Sequence, residues 1–81
     1  MDLTKKANEQ LIQVGLNVEF YRKLENLTQA ELAERSGVGI SAISRLENSN
    51  LYTNSELLTI LKIAIALDIN PAKLFEFRTK E

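Results

Sequence analysis

The amino-acid sequence predicts an all-α fold, and three observations indicate this class. The 81 residues include only three glycines and one proline, which leaves little material for the turns of a β structure. Good helix formers, among them Leu, Ala, Glu, Lys and Gln, occur along the whole chain. Apolar residues recur at steps of three and four, which is the period of one helical face. A chain of this length predicts one compact domain over residues 1–81.

The first helix is predicted from about Asn8 to Glu25. An earlier start near Thr4 stays open, because Leu3 and Ala7 continue the apolar spacing toward the N-terminus. The apolar residues of this helix form one stripe that we expect to be buried, consisting of Leu11, Val14, Val18, Tyr21 and Leu24.

The next segment carries a capping box. The hydroxyl of Thr28 can accept a hydrogen bond from the backbone near Glu31, and the carboxylate of Glu31 can accept one from the Thr28 amide. A short second helix is therefore predicted to begin at Thr28. It should stop at Gly37, since glycine readily adopts the left-handed conformation that ends a helix.

A third helix is predicted from Ile40 to Asn48, after a turn of about three residues. Ile43 and Leu46 occupy its apolar positions. Two short helices over about 28–36 and 40–48, joined by a short turn, form a helix-turn-helix layout.

The C-terminal part of the chain predicts two more helices. Asn54 or Ser55 can cap a fourth helix that runs to Leu67. Asn70, followed by a proline, begins a last short helix through Phe75. The core positions of the fourth helix should be filled by Leu57, Ile60, Leu61, Ile63, Ala64 and Leu67.

The composition bounds the function. The chain contains no cysteine and no histidine, so it lacks a thiolate nucleophile and the side chain most used for proton transfer and transition-metal binding. We therefore expect no enzyme activity, no metal and no cofactor. The longest apolar-rich run, from Leu57 to Leu67, is about half the length of a membrane span. Residues 1–8 lack the apolar region of a secretion signal, so we expect a cytoplasmic protein that does not contact membranes.

Several short strings lie at a characteristic mutual spacing, namely Val14-Gly15, Arg22, Leu27-Thr28-Gln29, Leu32-Ala33, Gly37, Ile43-Ser44-Arg45-Leu46-Glu47 and Leu67-Asp68-Ile69. In this arrangement the chain resembles the lambda-repressor-like (XRE, Cro/CI-type) helix-turn-helix family over about residues 11–75. The resemblance implies a compact five-helix DNA-binding domain whose third helix enters the major groove of a double-stranded DNA operator. It also implies a sequence-specific transcriptional regulator, in the form of a small homodimeric repressor or controller protein.

Burial of Ile43 and Leu46 turns the opposite side of the third helix outward. The planar fork of Arg45 matches O6 and N7 of guanine, although a solvated arginine is the alternative. A thymine methyl group suits Ile40; the alternatives are packing against the Leu51/Tyr52 loop and contact with a protein partner. The residues expected to contact DNA bases are Ile40, Ser41, Ser44 and Arg45.

Phosphate contacts are expected from Gln29, Arg22, Asn48 and Asn50. Gln29 lies in the first turn of the second helix, where unpaired amides favour an anion, or it is a neutral surface residue. Asn48 and Asn50 follow the third helix, where they can donate to a phosphate or simply end the helix. The resemblance implies that Arg22 also pairs with Glu47 and so joins the first helix to the end of the third.

Departures from the family pattern bear on the function. Gly39 stands where the family commonly has a capping Ser or Thr, and Ser49 replaces the usual glycine. Residues 17–50 hold four basic and five acidic residues, whereas DNA-binding domains are mostly basic. This charge favours a second hypothesis, a protein-interaction module such as an antitoxin or a partner-binding regulator. Lys5 and Lys6 form either a basic arm toward DNA or a solvated turn of the first helix.

An apolar stripe on the fourth helix predicts a homodimer. Leu58 and Ile65 are left over once the core is filled, and at 100° per residue they lie only about 20° apart around the helix. Such a stripe marks a twofold interface unless the last helix or the tail covers it. The predicted interface consists of Leu58, Ile65, Ile69 and Phe77.

Overall fold

The computed structural model describes residues 3–48 and 56–77, and within them the secondary structure consists of helices joined by turns. No strand occurs in these two ranges, so the all-α class is confirmed. The fifth predicted helix is a 3-10 helix, so these ranges hold four α-helices where a five-helix domain was expected. The elements are α1 (Leu3–Leu24), α2 (Gln29–Ser36), α3 (Ile40–Glu47), α4 (Leu57–Ala66) and the 3-10 helix (Pro71–Phe75).

The helices enclose one apolar core. Helix α1 packs against α3 and the 3-10 helix, α2 packs against α3 and α4, and α4 packs against the 3-10 helix. Every element therefore contributes at least one buried apolar side chain. The core consists of Val14, Val18, Leu27, Leu32, Ile43, Leu46, Ile60, Ile63, Ala64, Leu67 and Leu74.

Helix α1 begins five residues before the predicted Asn8 and ends at Leu24, one residue before the predicted Glu25. Its 22 residues correspond to about 33 Å of helix, in a molecule whose longest extent is 39 Å. None of residues 3–10 is buried. The first two turns of α1 therefore extend beyond the core, and Lys5 and Lys6 lie on this exposed part.

The capping box of α2 forms as predicted. The Glu31 amide donates to Oγ1 of Thr28 over 3.0 Å, and the Thr28 amide donates to Oε1 of Glu31 over 2.8 Å. Hydrogen bonds from the Thr28 amide and then from its hydroxyl hold the pKa of the Glu31 carboxyl below its ordinary value. Gly37 ends α2 with a φ of 73°, and its amide donates to the Ala33 carbonyl, so the predicted left-handed cap is confirmed.

The other helix starts differ in how they are capped. Asn70 accepts a hydrogen bond from the Ala72 amide over 2.8 Å and is followed by a proline, as predicted. Gly39 caps α3 and Glu56 caps α4, in both cases without a side-chain hydrogen bond. The cap of α4 is therefore not Asn54 or Ser55, which lie outside the described residues.

Two predicted core residues are exposed. Leu24 lies at the last position of α1, beyond the point where the helix faces its neighbours. Leu57 lies at the first position of α4 and is 64% exposed. The prediction that these two leucines are buried is therefore wrong. The apolar period of the sequence continues to the end of each helix, whereas the contact of the helix with its neighbours does not.

Asn17 is a buried polar residue that the sequence analysis missed. Its side-chain amide donates to the carbonyl oxygen of Leu74 over 3.0 Å and to that of Glu76 over 2.9 Å. Both amide protons are therefore used to attach the C-terminal segment to α1. The available signal was a polar residue directly beside the buried Val18.

Gly15 lies directly against the backbone at the end of α3. A Cβ atom added at Gly15 would overlap the carbonyl oxygen of Leu46 and would also meet Cα of Glu47 at 3.6 Å. Only a residue without a side chain allows this approach.

We expect Gly15→Ala to destabilise the protein by about 3 kcal/mol or more, because backbone cannot move aside as a flexible side chain can. In a helix without such a contact, the same change stabilises by about 1 kcal/mol. The free energy of unfolding, measured by urea titration, tests the sign.

Gly39→Ser is the matched control. Nothing described lies within 4 Å of a Cβ at Gly39, and serine is a good N-cap residue, so the change should be within about 0.5 kcal/mol. A Gly15→Ala variant as stable as the parent would show that α1 and α3 are not in close contact.

Candidate nucleic-acid interface

Helix α3 presents two different faces. Ile43 and Leu46 are buried in the core, which turns the opposite side of the helix to the surface. The four residues predicted to contact bases are all exposed on α3, namely Ile40, Ser41, Ser44 and Arg45. Arg45 is the one basic residue of this helix.

The end of α3 is attached to α1 by a buried ion pair. Nε of Arg22 donates to Oε2 of Glu47 over 2.8 Å, and Nη2 donates to Oε1 over 2.9 Å. Nη1 of Arg22 donates to the carbonyl oxygen of Leu27 over 2.7 Å. The arginine therefore fixes three segments relative to one another: α1, the turn before α2 and the last turn of α3.

Arg22 is only 8% exposed, yet it remains charged. The hydrogen bonds to Glu47 raise the pKa of the guanidinium above its ordinary value and outweigh the opposing effect of burial. Three N–H groups of the side chain donate inside the protein, so the arginine acts on α3 rather than as an open phosphate contact. This geometry favours the pairing role predicted for Arg22 over its predicted phosphate role.

Gln29 belongs to the same network, a contact that the sequence analysis missed. Its amide Nε2 donates to Oε1 of Glu47 over 3.0 Å, so this oxygen accepts from two side chains. The side chain of Gln29 is therefore directed toward the end of α3. One further N–H of the amide is left for another acceptor.

Of the two asparagines predicted to contact phosphate, Asn48 is exposed and forms the C-cap of α3. Its backbone amide donates to the Arg45 carbonyl over 3.3 Å. The predicted phosphate contact at Asn50 falls outside the described residues.

The predicted dimer surface on α4 is exposed in part. Leu58 is 59% exposed and Ile65 is 76% exposed, so neither is covered by the 3-10 helix. Ile69 and Phe77 pack instead against the core and are partly buried, because the chain after α4 folds back onto it. Both residues keep part of their surface exposed, and their place in the dimer interface stays a prediction.

Two leucines complete this apolar surface. At 100° per residue, Leu57, Leu61, Ile65 and Leu58 span about 100° of the circumference of α4. Leu57 is exposed and Leu61 is partly buried. We refer to the four residues Leu57, Leu58, Leu61 and Ile65 as the α4 patch.

Other kinds of site are not found in the described ranges. Residues 3–48 and 56–77 hold no group of three or more acidic side chains arranged to bind a metal ion. In the same part of the chain, no helix combines the length and the apolar character that a membrane span requires.

The geometry defines a class of protein. The two short helices α2 and α3 are joined by a turn that begins and ends with glycine, and a buried ion pair fixes α3 to α1. The free face of α3 carries polar and basic side chains. This is a helix-turn-helix unit of the DNA-binding kind. A sequence model of the family described as Helix-turn-helix matches residues 18–74. The chain belongs to this family, and the resemblance to lambda-repressor-like proteins is confirmed.

Similar proteins are known from bacteria and a phage. The HTH-type transcriptional regulator SinR of Bacillus subtilis (strain 168) is 33% identical over 63 residues, which cover 78% of this chain and 56% of that protein. SinR of Bacillus licheniformis is 35% identical over 57 residues, or 70% of this chain and 50% of that protein. The chain thus spans about half the length of both SinR proteins.

Two further relatives match over most of their own length. The ImmF control region 10 kDa protein of Bacillus phage phi105 is 29% identical over 69 residues, which cover 85% of this chain and 77% of that protein. The crystal structure of the restriction-modification controller protein C.AhdI from Aeromonas hydrophila superposes with a TM-score of 0.74 and 37% identity. The match covers 80% of this chain and 96% of that chain.

We expect Arg22→Met to destabilise the protein by about 3–5 kcal/mol, since it leaves the carboxylate of Glu47 buried without its charged partner. The double variant Arg22→Met/Glu47→Leu should recover much of this loss, because it removes both charges together. Urea unfolding of the two variants measures the difference.

Lys23→Met serves as the control, since Lys23 forms an exposed ion pair with Glu19 over 3.1 Å. Its loss should cost less than about 0.5 kcal/mol. If the double variant is less stable than Arg22→Met alone, the charge left on Glu47 is not what destabilises the single variant.

Proposed function

We propose that this protein is a sequence-specific DNA-binding transcriptional regulator that reads the major groove with α3. The observation that carries the proposal is the opposition of the two faces of α3. One face is fixed through the core and the Arg22–Glu47 pair, and the other carries exposed side chains that we assign to base contacts. The similar proteins support it, since they include transcriptional regulators and a restriction-modification controller.

The residues of α3 have distinct roles in this proposal. Arg45 donates through its planar fork to O6 and N7 of guanine. Ser41 and Ser44 donate to or accept from base edges, and their short side chains let the helix approach the floor of the groove. Arg22 is a positioning residue that holds α3 through Glu47.

Phosphate contacts flank this surface. Gln29 lies in the first turn of α2. One N–H of its Nε2 stays bonded to Glu47, and the other can donate to a phosphate. Asn48, at the exposed end of α3, and Asn50 provide contacts on the other side. A phosphate bound by Gln29 would thus be linked through Gln29 to Glu47, the residue through which Arg22 holds α3.

The protein acts as a homodimer in this proposal. Residues 17–50, which include the helix-turn-helix unit, carry four basic and five acidic residues. A single copy therefore gains little binding free energy from the release of counterions. Two copies joined through the α4 patch place two recognition helices on half-sites about 34 Å apart, and their affinities combine. The exposed Leu58 and Ile65 are the residues that such an interface would bury.

The regulator works without catalysis and without a cofactor, as a cytoplasmic protein that occupies its operator. Binding of an operator requires only complementary shape, hydrogen bonds and charge. We propose no membrane contact for this dimer.

A second candidate function rests on the acidic balance of the same region. A protein-interaction module would use the exposed Ile40 and the α4 patch to bind a protein, with no need for a basic surface. Retention of genomic DNA fragments over a range of salt concentrations separates the two functions. The regulator retains specific fragments, whereas the module is isolated with a protein and without enriched DNA.

We expect Arg45→Ala to weaken binding to a selected operator by about 1–3 kcal/mol and to relax the preference at one base pair, because one bidentate contact is lost. Arg35→Ala, at the exposed end of α2, removes the same charge away from α3 and should leave the base preference intact. Titration against operators changed at single positions measures both effects.

An equal loss of affinity for all sequences in the Arg45→Ala protein would indicate a phosphate contact instead. The base-reading role of Arg45 would then be wrong.

We expect the wild-type protein to be a dimer at tens of micromolar, and Leu58→Glu/Ile65→Glu to weaken dimerisation by about 100-fold or more, because carboxylates would be buried at the interface. Leu3→Glu/Leu24→Glu introduces the same charges on exposed leucines of α1 and should remain dimeric. Sedimentation and operator titration give the two readouts. A monomeric wild type, or a dimeric α4 variant with normal DNA binding, contradicts this interface.

A further inference from the structure

Ile40 stands apart from the other exposed apolar residues of this chain. Within the described residues, the remaining large exposed apolar side chains all lie on α1, α4 or the 3-10 helix. Ile40 is 49% exposed and is the one such residue of the helix-turn-helix unit itself. It belongs neither to the buried core nor to the partly buried residues packed against it.

The described neighbours of Ile40 on the outer side of α3 are small. Gly39 has no side chain, and a Cβ added there would meet nothing described within 4 Å. Ser41 is the next residue, and Ser44 lies one helical turn further on the same side. All three neighbours are small, so the branched side chain of Ile40 projects above them.

Local folding does not explain an isoleucine at this position. β-Branched residues are weaker helix formers than Leu or Ala, and an exposed aliphatic side chain gains nothing from water. The same stiffness is favourable for contact, because a side chain with few rotamers loses little freedom when it packs against another surface.

The major groove offers one apolar group per base pair at most, the methyl group at C5 of a pyrimidine. Thymine carries this methyl group, and 5-methylcytosine carries it at the same ring position. Contact with Ile40 would remove both the methyl group and the side chain from water. Arg45, five residues further along α3, then reads hydrogen-bonding groups at a different base pair.

We propose that Ile40 packs against a C5-methyl group in the major groove, so that DNA binding depends on that methyl group whether thymine or 5-methylcytosine carries it. The inference rests on the proposed DNA-binding function and deepens it. It gives the operator one position per half-site that is read by its methyl group rather than by hydrogen bonds.

The test begins with sites selected from random DNA by the wild-type protein. Each thymine of a selected site is replaced in turn by deoxyuridine, which removes only the methyl group. One position per half-site should lose about fourfold in affinity. At that position, a G·C pair carrying 5-methylcytosine should bind about fourfold more tightly than the pair carrying cytosine. A response in one arm alone contradicts the proposal that the methyl group is read on either base.

Ile40→Ala provides the decisive comparison. This variant should bind thymine and deoxyuridine operators equally, and also cytosine and 5-methylcytosine operators equally. Ile40→Val keeps the branched Cβ and should retain part of the discrimination. Leu3→Ala shortens an exposed aliphatic side chain at the far end of α1 and should discriminate as the wild type does.

The alternatives predict different results. Specific binding by the wild type with no methyl discrimination overturns this inference and leaves the proposed function standing. Retained discrimination in Ile40→Ala overturns it equally. A clear fall in the thermal midpoint of Ile40→Ala assigns the side chain to packing within the protein and overturns it too. A wild-type protein that retains no DNA overturns the proposed function and the inference together.

Discussion

The ion pair between Arg22 and Glu47 is the contact on which the recognition surface depends. It connects α1, the turn before α2 and the end of α3 through three hydrogen bonds, and Gln29 adds a fourth. The pair is buried, so desolvation offsets most of its attraction and its net contribution to stability is small. Its effect is geometric. If α3 turned away from α1, Arg22 and Glu47 would each be left as an unpaired buried charge, and the cost of this holds the two helices together.

Helix α1 provides the frame for this arrangement, at successive points along its length. Gly15 lets the backbone of α3 approach, Asn17 binds the C-terminal segment, and Arg22 holds the end of α3. The end of α3 is thus fixed by two separate contacts with one rigid element. Base reading requires this rigidity, since hydrogen bonds to a base edge tolerate little displacement of the donor.

Local sequence signals predicted both boundaries of α2, whereas tertiary packing decided most of the rest. The capping box at Thr28 and the left-handed cap at Gly37 involve only neighbouring residues, so the sequence alone was sufficient. The two faces of α3 followed from its apolar period. The period could not distinguish a buried Leu57 from an exposed one, because this depends on where the neighbouring helix ends. The hydrogen bonds of Asn17 and Gln29 join residues distant in the sequence, and no local pattern indicates them.

The charge of the chain connects its two exposed surfaces. Arg45 is the one basic residue of α3, and residues 17–50 carry one more acidic than basic residue. Nonspecific attraction to DNA is therefore weak. The proposed regulator must therefore take its affinity from base contacts and from the joining of two copies through the α4 patch. Each source alone is insufficient, since a single recognition helix without a basic surround binds poorly and a dimer without base contacts has no preferred site. In such a protein, loss of dimerisation abolishes operator binding even though every base-reading residue remains in place.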